Sequence, residues 1–139
     1  QLMCMEDFGA TAFACTPSYA LYLGEAAREA GVVDRLQLKA GINGAEPWTD
    51  EMRRKIEELL NVNSFDIYGL CEITGPGVAL DCIHHKGMHV QEDYFYPEVL
   101  NPTDHTPCKD GETGELVFTT LVKEGMPLLR YRTKRPDKY

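Results

Sequence analysis

The stretch Asp66-Ile67-Tyr68-Gly69-Leu70-Cys71-Glu72 puts an aromatic ring, a residue without a side chain and a carboxylate within a few positions of one another. The mostly apolar run from Phe65 to Tyr68 reads as a buried strand, and Gly69 lets the backbone turn tightly at its end. In an open α/β sheet, ligands collect just beyond the carboxyl ends of the strands. There Tyr68 offers a ring to stack on, Gly69 leaves bare amides near a phosphate, and Glu72 supplies an oxygen ligand for Mg²⁺. These are the parts of a nucleotide site. The same Tyr-Gly-x-x-Glu pattern also describes a strand followed by an ordinary turn, so its weight depends on the rest of the chain.

A second group of residues could bind metal. Cys82, His84, His85, His89 and Cys108 combine two thiols with several imidazoles, a donor set that suits tetrahedral zinc. Cys82 and His89 are expected to face each other across a hairpin turning at Lys86-Gly87, with Cys108 arriving from the next long loop. The spacing fits none of the standard zinc patterns. Buried thiols and surface imidazoles are the competing reading. Cys15 reads as a small core residue, Trp48 as the anchor of a helix, and the acid pair Glu57-Glu58 as a solvated helix face.

The elements that must position these residues follow from apolar period and punctuation. Residues 1–8 read as the tail of a helix. Ala10 to Cys15 reads as a buried strand, after which Thr16-Pro17 supplies an N-cap and a proline at the first helical position. The helix that follows places Leu23, Ala26, Ala27 and Ala30 on one face, and Gly31 closes it. Leu36 to Ile42 is a second strand, ending in the turn-rich loop Asn43-Gly44-Ala45-Glu46-Pro47. A second helix runs from about Trp48 to Leu60. Thr49, Asp50 and Glu51 crowd its first turn, and Met52, Ile56, Leu59 and Leu60 form its buried stripe. Strand, helix, strand, helix, strand implies parallel pairing through right-handed crossovers.

Beyond Gly75-Pro76-Gly77 no helical period returns. Short runs at 78–83, 88–91, 94–100, 116–121 and 128–132 read as strands separated by turn clusters. The expected fold is therefore α/β: a parallel strand-helix-strand layer over residues 1–76, then a mainly antiparallel β-rich subdomain over residues 77–139.

Composition narrows the classes. The chain has 139 residues, 43% of them hydrophobic and 26% charged, as in an ordinary globular domain. A net charge of −8 argues against nucleic acid or an anionic membrane as partner. No apolar stretch approaches the ~20 residues that span a bilayer, and nothing reads as a signal peptide. The five cysteines are an odd number without a C-x-x-C pair. Free thiols in a reducing cytoplasm fit better than a disulfide framework.

Three punctuated stretches stand in order: Gly44-Ala45-Glu46-Pro47, then Tyr68-Gly69-Leu70-Cys71-Glu72, then Gly114-Glu115-Leu116 leading to Arg130-Tyr131-Arg132-Thr133. This series resembles the adenylate-forming superfamily of acyl-CoA synthetases and ligases. Within it, residues 68–78, 92–95, 114–121 and 126–133 look most like the phenylacetate–CoA ligase family. The resemblance runs over nearly the whole chain.

The resemblance implies a two-step ligation. The carboxylate of a small aryl acid attacks the α-phosphate of Mg-ATP, giving an acyl-adenylate and pyrophosphate, and the thiol of coenzyme A then takes the acyl group and releases AMP. Carried onto this chain, Gly44, Ala45, Glu46 and Pro47 would line the adenine by backbone contact. Asp66 and Ile67 would border the base, Tyr68 would stack on it, and Gly69 would continue the nucleotide-binding turn. Glu72 would hold Mg²⁺, where the two lines of reading meet. Cys71 stands where the family usually has Ser or Thr touching the α-phosphate, and a thiol is the weaker donor.

The family's Tyr-Arg-Thr-x-Asp ends in an aspartate that holds the ribose. Here Arg135 occupies that place, with Asp137 two residues late. A Ser/Thr/Gly-rich phosphate loop and a C-terminal domain with a catalytic lysine are expected outside these residues. The chain thus reads as an internal fragment of a ligase, inactive alone and partnered by the rest of its parent. A non-catalytic nucleotide-binding piece, or a purely structural one, is the alternative.

Overall fold

The computed structural model describes the backbone of residues 1–137 and the side chains through Lys134. The chain divides into two compact units, Gln1–Tyr68 and Gly69–Tyr139.

The first unit has the α/β character expected of the N-terminal part, but it ends at Tyr68 rather than at residue 76, and residues 69–76 belong to the second unit. Helix α1 (Leu2–Asp7) precedes strand β1 (Ala12–Cys15), helix α2 (Pro17–Glu29), strand β2 (Ala40–Gly44), helix α3 (Asp50–Leu60) and strand β3 (Asn63–Leu70). β1 pairs in parallel with β2, and β2 in parallel with β3. The second strand starts later than expected from the run at Leu36. Val33–Arg35 form a 3₁₀ turn, and β1 is only four residues long, so regular pairing is confined to Ala12–Cys15 against Ala40–Asn43. Parallel strands need such helical crossovers.

α2 and α3 pack closely because α2 carries Gly24 on its buried face. A Cβ there would lie 2.7 Å from the Leu59 Cβ. The buried face of α2 is Pro17, Ala20, Leu23, Gly24 and Ala27, whereas Ala30 of the expected stripe is exposed. From α3, Ile56 and Leu60 enter the core. Burying a side chain of that size is worth about 1.5–3 kcal/mol. The N-cap of α3 is Thr49, whose Oγ1 accepts from the Met52 amide at 3.2 Å. Asn61, with φ +54, ends the helix in the left-handed conformation. Trp48 packs against the core, and the Arg53 guanidinium lies 4.7 Å above its ring.

The second unit is β-rich, as its alternating runs imply. Strand β4 (Gly75–Leu80) forms an antiparallel pair with the two-residue β5 (His89–Val90). Strands β6 (Phe95–Leu100), β7 (Gly114–Thr120) and β8 (Tyr131–Asp137) form an antiparallel sheet in that order. β7 is its middle strand and is buried from Gly114 through Phe118. The Phe95 and Phe118 rings meet edge-on, 6.3 Å between centroids.

β8 begins three residues later than the run at Leu128 suggests. Leu128 is tied to Thr120 by reciprocal bonds of 2.9 Å. Met126 and Arg130 then take positive φ values, +56 and +49, which break a regular strand before Tyr131. No helix among the described residues is long and apolar enough to cross a membrane.

Candidate functional site

In the first unit the carboxyl ends of three parallel strands lie side by side. The register sets Cys15 against Asn43, Asn43 against Asp66 and Gly44 against Ile67. Two of the predicted stretches, 44–47 and 66–68, thereby become neighbours, although about twenty residues separate them in sequence. Their contact is tight. A Cβ at Gly44 would sit 2.2 Å from the Ile67 carbonyl oxygen, so only glycine allows β2 and β3 to approach this closely.

A buried polar network fixes these strand ends. The Asn43 amide nitrogen donates to the Cys15 carbonyl at 3.2 Å, and the Ser64 hydroxyl donates to Asn43 Oδ1 at 2.6 Å. Both side chains are fully buried. An unsatisfied buried amide costs about 1–3 kcal/mol, so Asn43 is held by its partners on either side. Ser64 is anchored again from α3: Arg53 Nη1 donates to its carbonyl at 2.9 Å, and its amide donates to Glu57 Oε1 at 2.9 Å. Glu57 is therefore a structural acceptor, not merely part of a solvated face.

The loop after β2 is held in an unusual shape. Ala45 has φ +71, in the left-handed region that residues with a Cβ seldom adopt. The Glu46 carboxylate reaches the first turn of α2, where Oε1 accepts from the Ser18 amide at 2.5 Å. The Ser18 hydroxyl and then this amide hold the Glu46 carboxyl below the usual range. Burial, and after it the Glu46 charge, push the Cys15 thiol up, which suits the inert, half-buried core cysteine expected at that position. Ala45 and Pro47 are exposed; Asp66, Ile67 and Tyr68 are half-buried.

The second unit carries Gly69, Cys71 and Glu72. The strand does not stop at Gly69, as expected, but continues through Leu70. The reversal comes at residues 71–74, where the amides of Ile73 and Thr74 both donate to the Leu70 carbonyl at 3.1 Å. Gly69 is needed for a different reason from the one its position suggested. Its φ is not positive; a Cβ there would lie 1.9 Å from the Gly75 carbonyl oxygen, so the returning β4 backbone occupies its side-chain space. Cys71 and Glu72 are exposed on this turn. Lys123 Nζ donates to the Glu72 carbonyl at 2.6 Å and steadies it.

An exposed carboxylate on a braced turn suits magnesium, which commonly takes one or two carboxylates together with phosphate oxygens and water. The zinc expectation fares otherwise. Among the described residues no three His, Cys, Asp or Glu side chains come close enough to hold a metal ion, so Cys82, His89 and Cys108 are not brought together as ligands. His89 pairs with Leu80 rather than Cys82, which offsets the thiol from the imidazole across the hairpin. The Cys108 thiol lies 4.0 Å from the Thr113 carbonyl in its own loop.

The stretch 114–133 contributes an ion pair that the motif did not foretell. Glu115, buried in β7, holds the Arg132 guanidinium and accepts from the Lys134 amide at 3.0 Å. Arg132 keeps the Glu115 carboxyl below the usual glutamate range. The side chains of Arg135 and Asp137, where the family pattern departs, lie outside the described residues.

No family model matches the chain. Curated relatives do. The chain is 49% identical over 136 residues to a phenylacetate–coenzyme A ligase of Pseudomonas putida, covering 96% of this chain and 31% of that protein. Identity is also 49% over 135 residues to the ligase of that name from Thermus thermophilus, and 47% over 137 residues to that of Escherichia coli. Among solved structures, 2-hydroxyisobutyryl-CoA ligase in complex with 2-HIB-AMP and CoA superimposes with a TM-score of 0.87 at 26% identity. It matches 95% of this chain and 28% of its own. The N-terminal subdomain of NpsA from Klebsiella oxytoca, at 16% identity and a TM-score of 0.71, shares the fold. The resemblance carried by the motif series thus holds along 96% of the chain, which spans about 31% of the length of its curated relatives.

Proposed function

We propose that this chain supplies the adenine-side strand ends and the magnesium turn of an ATP-dependent acid–CoA ligase acting on a phenylacetate-like acid. The observation that carries the reading is the register of β2 on β3. It sets the glycine-led loop 44–47 beside Asp66 and Ile67 at the carboxyl edge of a parallel sheet, where open α/β sheets bind their ligands. The relatives' names point to the same chemistry, since each is a ligase of phenylacetate and coenzyme A.

On this reading the backbone of Gly44, Ala45, Glu46 and Pro47 lines the adenine, Asp66 and Ile67 border it, and Tyr68 stacks on it. Gly69 carries the strand into the turn without a side chain, and Cys71 faces the α-phosphate. Glu72 holds Mg²⁺, which when bound neutralises phosphate charge as the acid attacks. The chain's own share is to orient the nucleotide and to keep a carboxylate at the phosphates. A cytoplasmic location accords with five free cysteines. The partners are the aryl acid, ATP, coenzyme A and the rest of the parent protein.

The test is acid-dependent ATP–pyrophosphate exchange by the full-length protein, assayed over phenylacetate and smaller aliphatic acids. Exchange that depends on phenylacetate supports the reading. Exchange driven only by aliphatic acids, or none with any acid, contradicts it.

A further inference from the structure

We propose that the Glu46 side chain is a positioning residue for nucleotide binding: its contact with the start of α2 is a strut that holds the 44–47 loop in its bound shape. The inference rests on the nucleotide reading above and adds a role for a side chain to which that reading assigns only backbone contact.

Three observations converge on it. The loop is strained at Ala45, whose φ of +71 costs energy that neighbouring contacts must supply. The neighbour that reaches furthest is Glu46, with its carboxylate on the Ser18 amide at 2.5 Å, 28 residues away in sequence. An acidic oxygen at a helix N-terminus meets an unpaired amide and the positive end of the helix dipole, so the bond is stronger than a neutral one. The other end of the loop is tied to the same corner, because Asn43 donates to the Cys15 carbonyl at 3.2 Å. Residues 43 and 46 thus clamp the loop from both sides onto the β1–α2 connection, with the strained residue between them. Gly44 cannot relieve the strain by moving inward, since the Ile67 carbonyl fills that space.

A strut of this kind acts on binding geometry. Its loss lets Ala45 relax toward negative φ, which moves the backbone groups proposed to meet the adenine. The same logic predicts rescue. Glycine has no penalty at positive φ, so Gly at position 45 lets the loop revisit the bound shape without the strut.

The experiment uses the full-length protein with Glu46→Gln, Glu46→Ala, the double variant Ala45→Gly/Glu46→Ala, and Tyr68→Ala. Two readouts are taken: hydrogen–deuterium exchange of the peptide spanning residues 43–49, and the KM for ATP against kcat in pyrophosphate exchange. Losing one charge-assisted bond at a solvent-exposed position should speed exchange in the loop about five- to tenfold and raise KM by a similar factor, with a smaller change in kcat. Glu46→Gln should fall between wild type and Glu46→Ala, and the double variant should recover part of the lost KM. Wild-type loop exchange in Glu46→Ala overturns the strut. Faster exchange with unchanged KM, alongside a raised KM in Tyr68→Ala, overturns its role in nucleotide positioning. A wild-type KM in Tyr68→Ala counts instead against the underlying nucleotide reading.

Discussion

Adding one methyl group at Gly44 tests whether the β2–β3 junction is the nucleotide edge. In Gly44→Ala the new Cβ would stand 2.2 Å from the Ile67 carbonyl oxygen and 2.8 Å from Ile67 Cγ2, against 3.4 Å for an ordinary contact. The nearest obstacle is backbone, so no rotamer change removes the clash, and Ile67 must retreat by about 1 Å. Overpacking of this kind costs about 1–3 kcal/mol. Residues 44 and 67 are register partners, so the displacement opens the strand ends that border the proposed base site. A misplacement of about 1 Å can cost on the order of a hundredfold in a positioned site, and we expect the KM for ATP to rise ten- to a hundredfold on that scale.

Gly31→Ala is the control. Gly31 follows α2 with φ +64 and has no heavy atom near its Cβ position, so the substitution costs about 1–2 kcal/mol through backbone strain alone. Both variants should lower the melting temperature, but only Gly44→Ala should raise the KM in ATP–pyrophosphate exchange. An unchanged KM in Gly44→Ala, or an equal rise in Gly31→Ala, would refute the reasoning.

Further expectations concern the second unit. Lys123→Met removes the donor to the Glu72 carbonyl; losing one such bond, worth about 1 kcal/mol, should lower the rate of pyrophosphate exchange roughly fivefold, and an unchanged rate would mean that the turn needs no brace. Glu115 has a depressed carboxyl pKa, chiefly through Arg132, so its stabilisation is fully present above the unfolded value of about 4.3 and is lost as pH falls through the lower folded value. Glu115→Gln should therefore destabilise the protein at neutral pH and flatten the acid limb of its stability curve; equal pH dependence in variant and wild type, by denaturant titration, would show that the pair is unimportant. Ser64→Ala leaves Asn43 Oδ1 without its donor in a fully buried place, and chemical denaturation should show a loss of about 1–3 kcal/mol.

Much of this was legible in the sequence, for identifiable reasons. Apolar spacing marked α2, α3 and the three parallel strands, because a buried face must repeat with the period of its element. The glycine-punctuated stretches marked the strand ends, where close approach leaves no alternative residue. What escaped were contacts made by polar side chains across sequence distance. Nothing local says that Asn43 and Ser64 bond each other in the core, or that Glu46 reaches Ser18. Gly69 was singled out for a turn but serves close packing, since a glycine looks the same whichever use the backbone makes of it. The zinc reading failed because composition brings thiols and imidazoles close in sequence, while the pairing of His89 with Leu80 decides where they sit. The late start of β8 depends on positive φ at Met126 and Arg130, which no propensity favours.

The most direct test of the central claim is ATP–pyrophosphate exchange by the full-length protein, in Tyr68→Ala and Glu72→Gln variants across a magnesium series. Removing the ring should forfeit stacking worth about 1–3 kcal/mol, by analogy with bases stacked on aromatic side chains, and nucleotide affinity should fall equally at every magnesium concentration. Glu72→Gln keeps the shape but loses the charge proposed to attract the metal, so its defect should lie in the rate and shrink as magnesium is raised. Wild-type exchange in either variant, or defects with the same magnesium dependence in both, would contradict the assignment of this strand and turn to the nucleotide and its metal.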